Sequence, residues 1–275
     1  MKRVHLALRY AFASRLDEYD RVLTAALDAA YTVCSVEQSL RELEAGTERL
    51  FVLRHDVDQR SPGVRAMAAM EAGLGVVSTY YFRLTTLDPS DLEAVMAQGH
   101  EVSLHYETIA DYAAENSISD RATLLAGDHL ARCGARLARD LDRFRSETGT
   151  SCGTIASHGS PLNQQLGVAN TLLFESLPDL AAQLGIELEA YDRAYLGQFD
   201  CYISDTQWEI NDGFRYGRHP LDALSERIPR IMMLSHPNHW AFTPRTRLRR
   251  TIKCLLLGQV SDPTRFAQAD RLRAR

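Results

Sequence analysis

Leu50-Phe51-Val52-Leu53-Arg54-His55-Asp56-Val57-Asp58 is an apolar run that ends in charge. Residues 50–53 read as a buried strand, and the strand delivers an imidazole and two carboxylates to its C-terminal end. Unpaired buried ions are very costly, so the cluster must face a partner. A metal ion or a catalytic acid/base pair meets that need. Alternate residues of an extended segment share a face, which puts Asp56 and Asp58 side by side. The plainer alternative makes these two a helix N-cap and a loop charge ahead of a helix at Pro62.

The flanking sequence repeats short strand, then helix. Strands are expected over 4–8, 31–34, 76–82, 101–104, 153–157 and 231–234, with weaker signals at 186–188 and 201–203. Helical spacing of Leu16, Tyr19, Val22, Leu23, Ala26 and Leu27 predicts a helix over 14–30 with Ser14 as N-cap. Further helices are expected over 36–43, from Pro62 to Gly73 or Gly75, from Pro89 to Gly99, and over 119–148. Such alternation implies parallel pairing and an α/β architecture. With seven or eight strand candidates, a closed or nearly closed barrel is favoured over an open sheet.

The chain has 275 residues, 45% of them hydrophobic, enough for one large core. No repeat, low-complexity tract or Pro/Gly-rich linker divides it, so a single domain over 1–275 is expected. A formal net charge of -5 gives no bulk attraction for nucleic acid. Cys34, Cys133, Cys152, Cys201 and Cys254 are scattered and odd in number, which argues against a disulfide framework or a zinc ribbon. Reduced thiols and a cytoplasmic location follow. Charges at Lys2, Arg3 and Arg9 leave no uncharged signal-peptide core, and no apolar run is long enough to span a bilayer.

Four strands end in groups that bind metal or move protons. They end in His55, Asp56 and Asp58; in His105, Tyr106 and Glu107; in Ser157 and His158; and in Ser235, His236 and His239. Ser204-Asp205 ends a fifth candidate. In a parallel barrel the C-terminal strand ends share the face that holds the active site, so these residues should converge. His and Asp suit zinc, and mixed N/O sites also suit iron, cobalt, manganese or nickel. A bound metal polarises a carbonyl and acidifies its water, as amide or ester hydrolysis requires. Each residue also has a plainer role. His105 could be a satisfied core histidine, His158 could mark a turn before Gly159, and His236 could be a polar strand end. His5, His100, His129 and His219 read as structural.

His55-Asp56-Val57-Asp58, Gly99-His100-Glu101-Val102-Ser103-Leu104-His105 and Leu234-Ser235-His236-Pro237 resemble motifs of the polysaccharide deacetylase (NodB-homology) family. The resemblance covers about residues 50–240. It implies an irregular (β/α) barrel and removal of N- or O-acetyl groups from sugars; some relatives remove formyl groups from lipid-linked sugars. In the family two adjacent acidic residues serve as base and metal ligand. Here Val57 separates them, so the resemblance makes Asp56 the base and Asp58 the ligand. It makes His105 a second ligand and His236 the general acid. The family's next histidine falls on Ile109, which cannot bind metal. His158 is the first choice to complete the site, and Glu107 the second. The family's arginine-containing third motif has no clear counterpart. This pattern is similar to a divergent, WbmS-type branch found in surface-polysaccharide (O-antigen) biosynthesis.

The expectation is therefore a metal-dependent carbohydrate deacylase whose substrate is free or carried on a nucleotide or lipid. The alternative is a catalytically inactive sugar-binding or scaffold barrel. Tyr80, Tyr81, Tyr106, Trp208 and Trp240 are candidates to stack on a sugar. Arg54 and Arg83 are candidates to pair with the acidic cluster or hold a substrate phosphate. The basic stretch 245–253 reads as a solvated helix, with peripheral contact to an anionic membrane as the alternative.

Overall fold

A computed structural model of the chain describes residues 14–206, 214–216 and 218–241. The strand expected over 4–8, His5, Trp208, Cys254 and the basic stretch 245–253 lie outside the described residues. One sheet holds β1 (Thr32–Cys34), β2 (Leu50–Val57), β3 (Thr79–Phe82), β4 (Glu101–Tyr106), β5 (Thr154–Ser157), β6 (Leu188–Glu189), β7 (Cys201–Ser204) and β8 (Arg230–Ser235). Every pairing is parallel. The order is β6-β5-β4-β3-β2-β8-β7. β2 is the hub. β8 runs along one edge of it, opposite Leu50 through His55. β1 takes the first half of the other edge and β3 the second half.

The sheet curls into a barrel. Strands of a flat sheet lie about 4.8 Å apart, so β6 and β8 would stand roughly 24 Å apart. Instead Leu188 of β6 packs in one cluster with Met232 of β8, Val52 of β2, Tyr81 of β3 and Ala156 of β5. β6 and β7 do not pair, so the barrel stays open along that seam among the described residues. The expected irregular (β/α) barrel is the observed architecture.

Alternation along β2 sorts its side chains. Leu50 and Val52 face the lumen, while Phe51 and Leu53 pack outward with Tyr19, Val22 and Met67 under the helices. The same period sends Arg54 and Asp56 inward and His55 outward. β4 runs through Tyr106, two residues past its expected end, so His105 lies within the strand. The region 119–148 is two helices, Arg121–Leu125 and His129–Thr148. Ala126 is extended and Gly127 adopts a φ of +57°, which breaks the first helix. A helix at Thr108–Glu115 has no counterpart in the sequence expectation.

Outside the sheet, the helix Gly63–Gly73 carries a fully buried carboxylate, Glu71. Its Oε1 meets His55 Nε2 at 2.8 Å and accepts the Tyr19 hydroxyl. Its Oε2 accepts Ser78 Oγ at 2.5 Å and the Tyr80 hydroxyl at 3.1 Å. Burial opposes the charge, but His55, with His100 and Ser78, outweighs it and holds Glu71 below the usual carboxylate range. His55 Nδ1 meets Ser235 Oγ at 2.6 Å. The network thus fastens β2 to β8 one residue before Asp56 and one before His236. His100 is structural, as expected. Its Nδ1 accepts the Ser78 N–H at 3.2 Å and its Nε2–H donates to Ala68 O at 3.0 Å.

Glu71→Leu leaves the buried donors of His55, Tyr19 and Ser78 without their acceptor. Urea unfolding should show a loss of about 3–5 kcal/mol. A loss no greater than a surface substitution causes would refute the role given to this carboxylate.

Candidate active site

Parallel pairing puts the C-terminal ends of β2, β4, β5, β7 and β8 on one face of the barrel. Arg54 and Asp56, two residues apart on β2, share the lumen face. The guanidinium grips the carboxylate twice: Nη2 to Oδ2 at 2.8 Å and Nε to Oδ1 at 3.2 Å. It also lies over the Tyr191 ring, 4.4 Å from its centroid. Burial opposes ionisation of Asp56, yet Arg54, with His105 and His236, holds its carboxyl below the usual range. Arg54 thus pairs with the acidic cluster from inside the first motif.

Asp58 follows the end of β2. Its Oδ1 lies 3.2 Å from His105 Nε2 and 3.5 Å from His158 Nε2. His105 Nδ1 lies 2.9 Å from the Ala156 carbonyl, which can only accept. The ring proton therefore sits on Nδ1, and the neutral ring presents a bare Nε2. His158 Nδ1 lies 2.6 Å from Glu107 Oε1 and is committed in the same way. Asp58 Oδ1 is buried and receives no hydrogen bond of good geometry. Three lone-pair atoms thus crowd within 4.8 Å of one another. Such a set needs a cation or a proton between its members. Without metal a proton takes that place: burial pushes His158 down, but Asp58 and Glu107 outweigh it and raise its pKa to about 9. A divalent cation fits the same gap, and Asp, His and His form a donor set for zinc and its neighbours.

His236 stands across the cluster, its Nε2 3.5 Å from Asp58 Oδ2. Asp205, at the end of β7, anchors it through Nδ1 to Oδ1 at 2.6 Å and the His236 N–H to Oδ2 at 3.0 Å. Trp240 Nε1 also donates to Oδ2, at 2.8 Å. Burial opposes a charge on His236, yet Asp205, Asp58 and Asp56 lift its pKa to about 9. Its protonated form therefore stabilises the fold. That contribution is complete below pH 6.5 and is lost as pH rises through about 9. Asp205, His236 and His239 could also reach one cation. The donors already placed on Asp205 make it an anchor instead. The loop beyond His236 is held by close approach: a Cβ on Gly63 would lie 2.1 Å from Pro237 O.

The structure brings together Asp56, Asp58, His105, His158 and His236. Ile109 is fully buried among core side chains and cannot serve the site. Asn170 links Ile109 to His158: its Oδ1 accepts the Ile109 N–H at 2.8 Å and its Nδ2 donates to His158 O at 2.7 Å. Asp205 has no assigned task in the local pattern, and its placement after a short strand is the only sign of it in the sequence. The stacking candidates need correction. Tyr80, Tyr81, Tyr106 and Trp240 are buried and offer no ring face to a substrate. No helix among the described residues is long and apolar enough to cross a membrane.

No protein-family model matches the chain, and no curated protein matches it. Among solved structures it is similar to a family 4 carbohydrate esterase from Streptomyces lividans in complex with acetate. Identity is 13%, the TM-score is 0.39, and the match covers 76% of this chain and 87% of that one. It is similar to the peptidoglycan deacetylase PdaC from Bacillus subtilis, at 12% identity and a TM-score of 0.40, over 76% and 83% of the two chains. It is also similar to a CE4 family pseudoenzyme from Bacillus anthracis, at 13% identity and a TM-score of 0.41, over 76% and 60%. The chain spans less than two thirds of that pseudoenzyme's length.

Asp205→Asn should lower the His236 pKa from about 9 in metal-free protein, since burial is then opposed only by the weaker pull of Asp58 and Asp56. Nitrogen-15 NMR titration reads it, and an unchanged value would refute the anchor. Gly63→Ala must push the Pro237 carbonyl away. It should destabilise the chain by about 1–3 kcal/mol in thermal or urea unfolding.

Proposed function

We propose that this chain is a metal-dependent hydrolase that removes an acyl group from a carbohydrate. The observation that carries the reading is the gap between Asp58 Oδ1, His105 Nε2 and His158 Nε2, flanked by an ionised carboxylate and a protonated imidazole. The carbohydrate, and a setting in surface-polysaccharide biosynthesis, rest on the motif resemblance. Asp58, His105 and His158 hold the metal, with zinc favoured by the donor set.

The metal, when bound, supplies Lewis acidity toward an acyl oxygen and acidifies water. Asp56 accepts a proton from the attacking water. Arg54 keeps it ionised and fixes its orientation, and its Oδ2 lies 3.5 Å from His105 Nε2, beside the metal ligands. His236 gives its Nε2 proton to the leaving amine or alkoxide. Asp205 accepts the ring's Nδ1–H, fixes its orientation and supports the charge of the doubly protonated ring, whose Nε2–H is the one transferred. The base is a carboxylate held low and the acid an imidazole held high, so one neutral pH keeps both in working form.

Protein purified without chelator should carry a divalent metal that Asp58→Ala and His105→Ala lose, as elemental analysis reads. Asp56→Asn should keep the metal and lose acetate or formate release from acylated sugars by about a hundredfold or more. Absence of metal from the wild type overturns the metal reading. Wild type that binds sugar and metal but releases no acyl group would point to a non-catalytic binding barrel.

A further inference from the structure

We infer that Glu107 is a positioning residue for the metal site, acting with Arg83 to hold Asp58 and His158 in their ligating positions, and is not itself a ligand. This rests on the metal reading above and extends it to the surrounding shell. Both Glu107 oxygens are already occupied. Oε1 receives His158 Nδ1 at 2.6 Å. Oε2 receives Arg83 Nε at 2.6 Å, and Arg83 Nη2 contacts it as well. Glu107 also lies outside the group of atoms close enough to share one cation. A carboxylate on the far nitrogen of a ligating histidine fixes the ring's orientation and raises its basicity toward metal.

Arg83 extends the arrangement. It follows β3, and its Nη1 donates to the Asp58 carbonyl at 3.1 Å. One guanidinium therefore ties the backbone of the first ligand to the carboxylate that orients the third. Thr86 tightens the same corner, with Oγ1 donating to Val57 O at 2.8 Å and accepting the Arg83 N–H at 3.1 Å. The ends of β2, β3, β4 and β5 are joined through side chains where the strand hydrogen bonds stop. A ligand drawn from β5 lies far along the sequence from Asp58, and this bridge supplies the alignment that sequence proximity does not.

The test is cobalt(II) and zinc affinity of the full chain, stripped of metal and titrated against a competing chelator. Glu107→Gln preserves size and removes charge. It should weaken both metals about 10–100-fold while the visible cobalt bands keep their wild-type positions, because the ligand set is unchanged. Thermal unfolding of the metal-free variant shows whether the fold survives. The pair Glu107→Gln and His158→Ala supplies the stricter criterion. If Glu107 acts through His158, adding E107Q to H158A should change affinity little; a purely structural effect would add in full. Arg83→Met should also weaken metal binding.

Wild-type affinity in E107Q overturns the inference and leaves the metal site standing. So does a shift of the cobalt bands in E107Q with H158A unaffected, which would make Glu107 the ligand. Wild type that binds neither metal overturns the metal reading itself.

Discussion

Alternation along β2 divides one short stretch between two polar networks. Residues at even positions enter the lumen, where Arg54 grips Asp56 and Asp58 meets two imidazoles. His55, between them, points outward to Glu71 and Ser235. The Glu71 network is fully buried and the lumen network partly open at Asp58 and His158, and each is anchored to β8 or its C-terminal loop. A one-residue slip of β2 would reverse every side chain, taking His55 away from Glu71 and the two aspartates out of the lumen. The register of this strand is therefore the condition on which both the core and the site depend.

Charge placement follows the same logic. The lumen mouth gathers Asp56, Asp58, Glu107 and Asp205, and each has a specific cationic or imidazole partner. Buried carboxylates remain ionised only because these partners outweigh desolvation. Asp58 differs from the rest. His105 and His158 approach its Oδ1 with Nε2 atoms while their Nδ1–H groups are committed to Ala156 O and Glu107, unless a proton is added to His158. That leaves a cation-shaped demand at one point. Asp205 shows the opposite case, a carboxylate saturated with donors that acts as an anchor.

Much of this was legible before any coordinates. Strand–helix alternation implied a parallel sheet, and parallel strands bring their C-terminal ends to one face. The pleat placed Asp56 and Asp58 together, and would have placed Arg54 with them had the period been carried two residues back. The aromatic residues misled, because strand-end position says nothing about depth. Tyr80 and Tyr81 flank the site in sequence yet are sealed inside, one beneath the helices and one inside the barrel. The helix Thr108–Glu115 has no counterpart in the local pattern, and it buries Ile109 in the core.

The sequence by itself determined which side chains stand at strand ends and which face of each strand they share, because period and strand direction are local properties. Only the tertiary structure decided who meets whom. The His158–Glu107 contact, the pairing of Asp205 with His236 and the Arg83–Glu107 bridge join residues 24 to 51 positions apart. Those contacts depend on how far the sheet curls and where each strand ends. Both are set by the packing of the whole barrel, which no local pattern encodes.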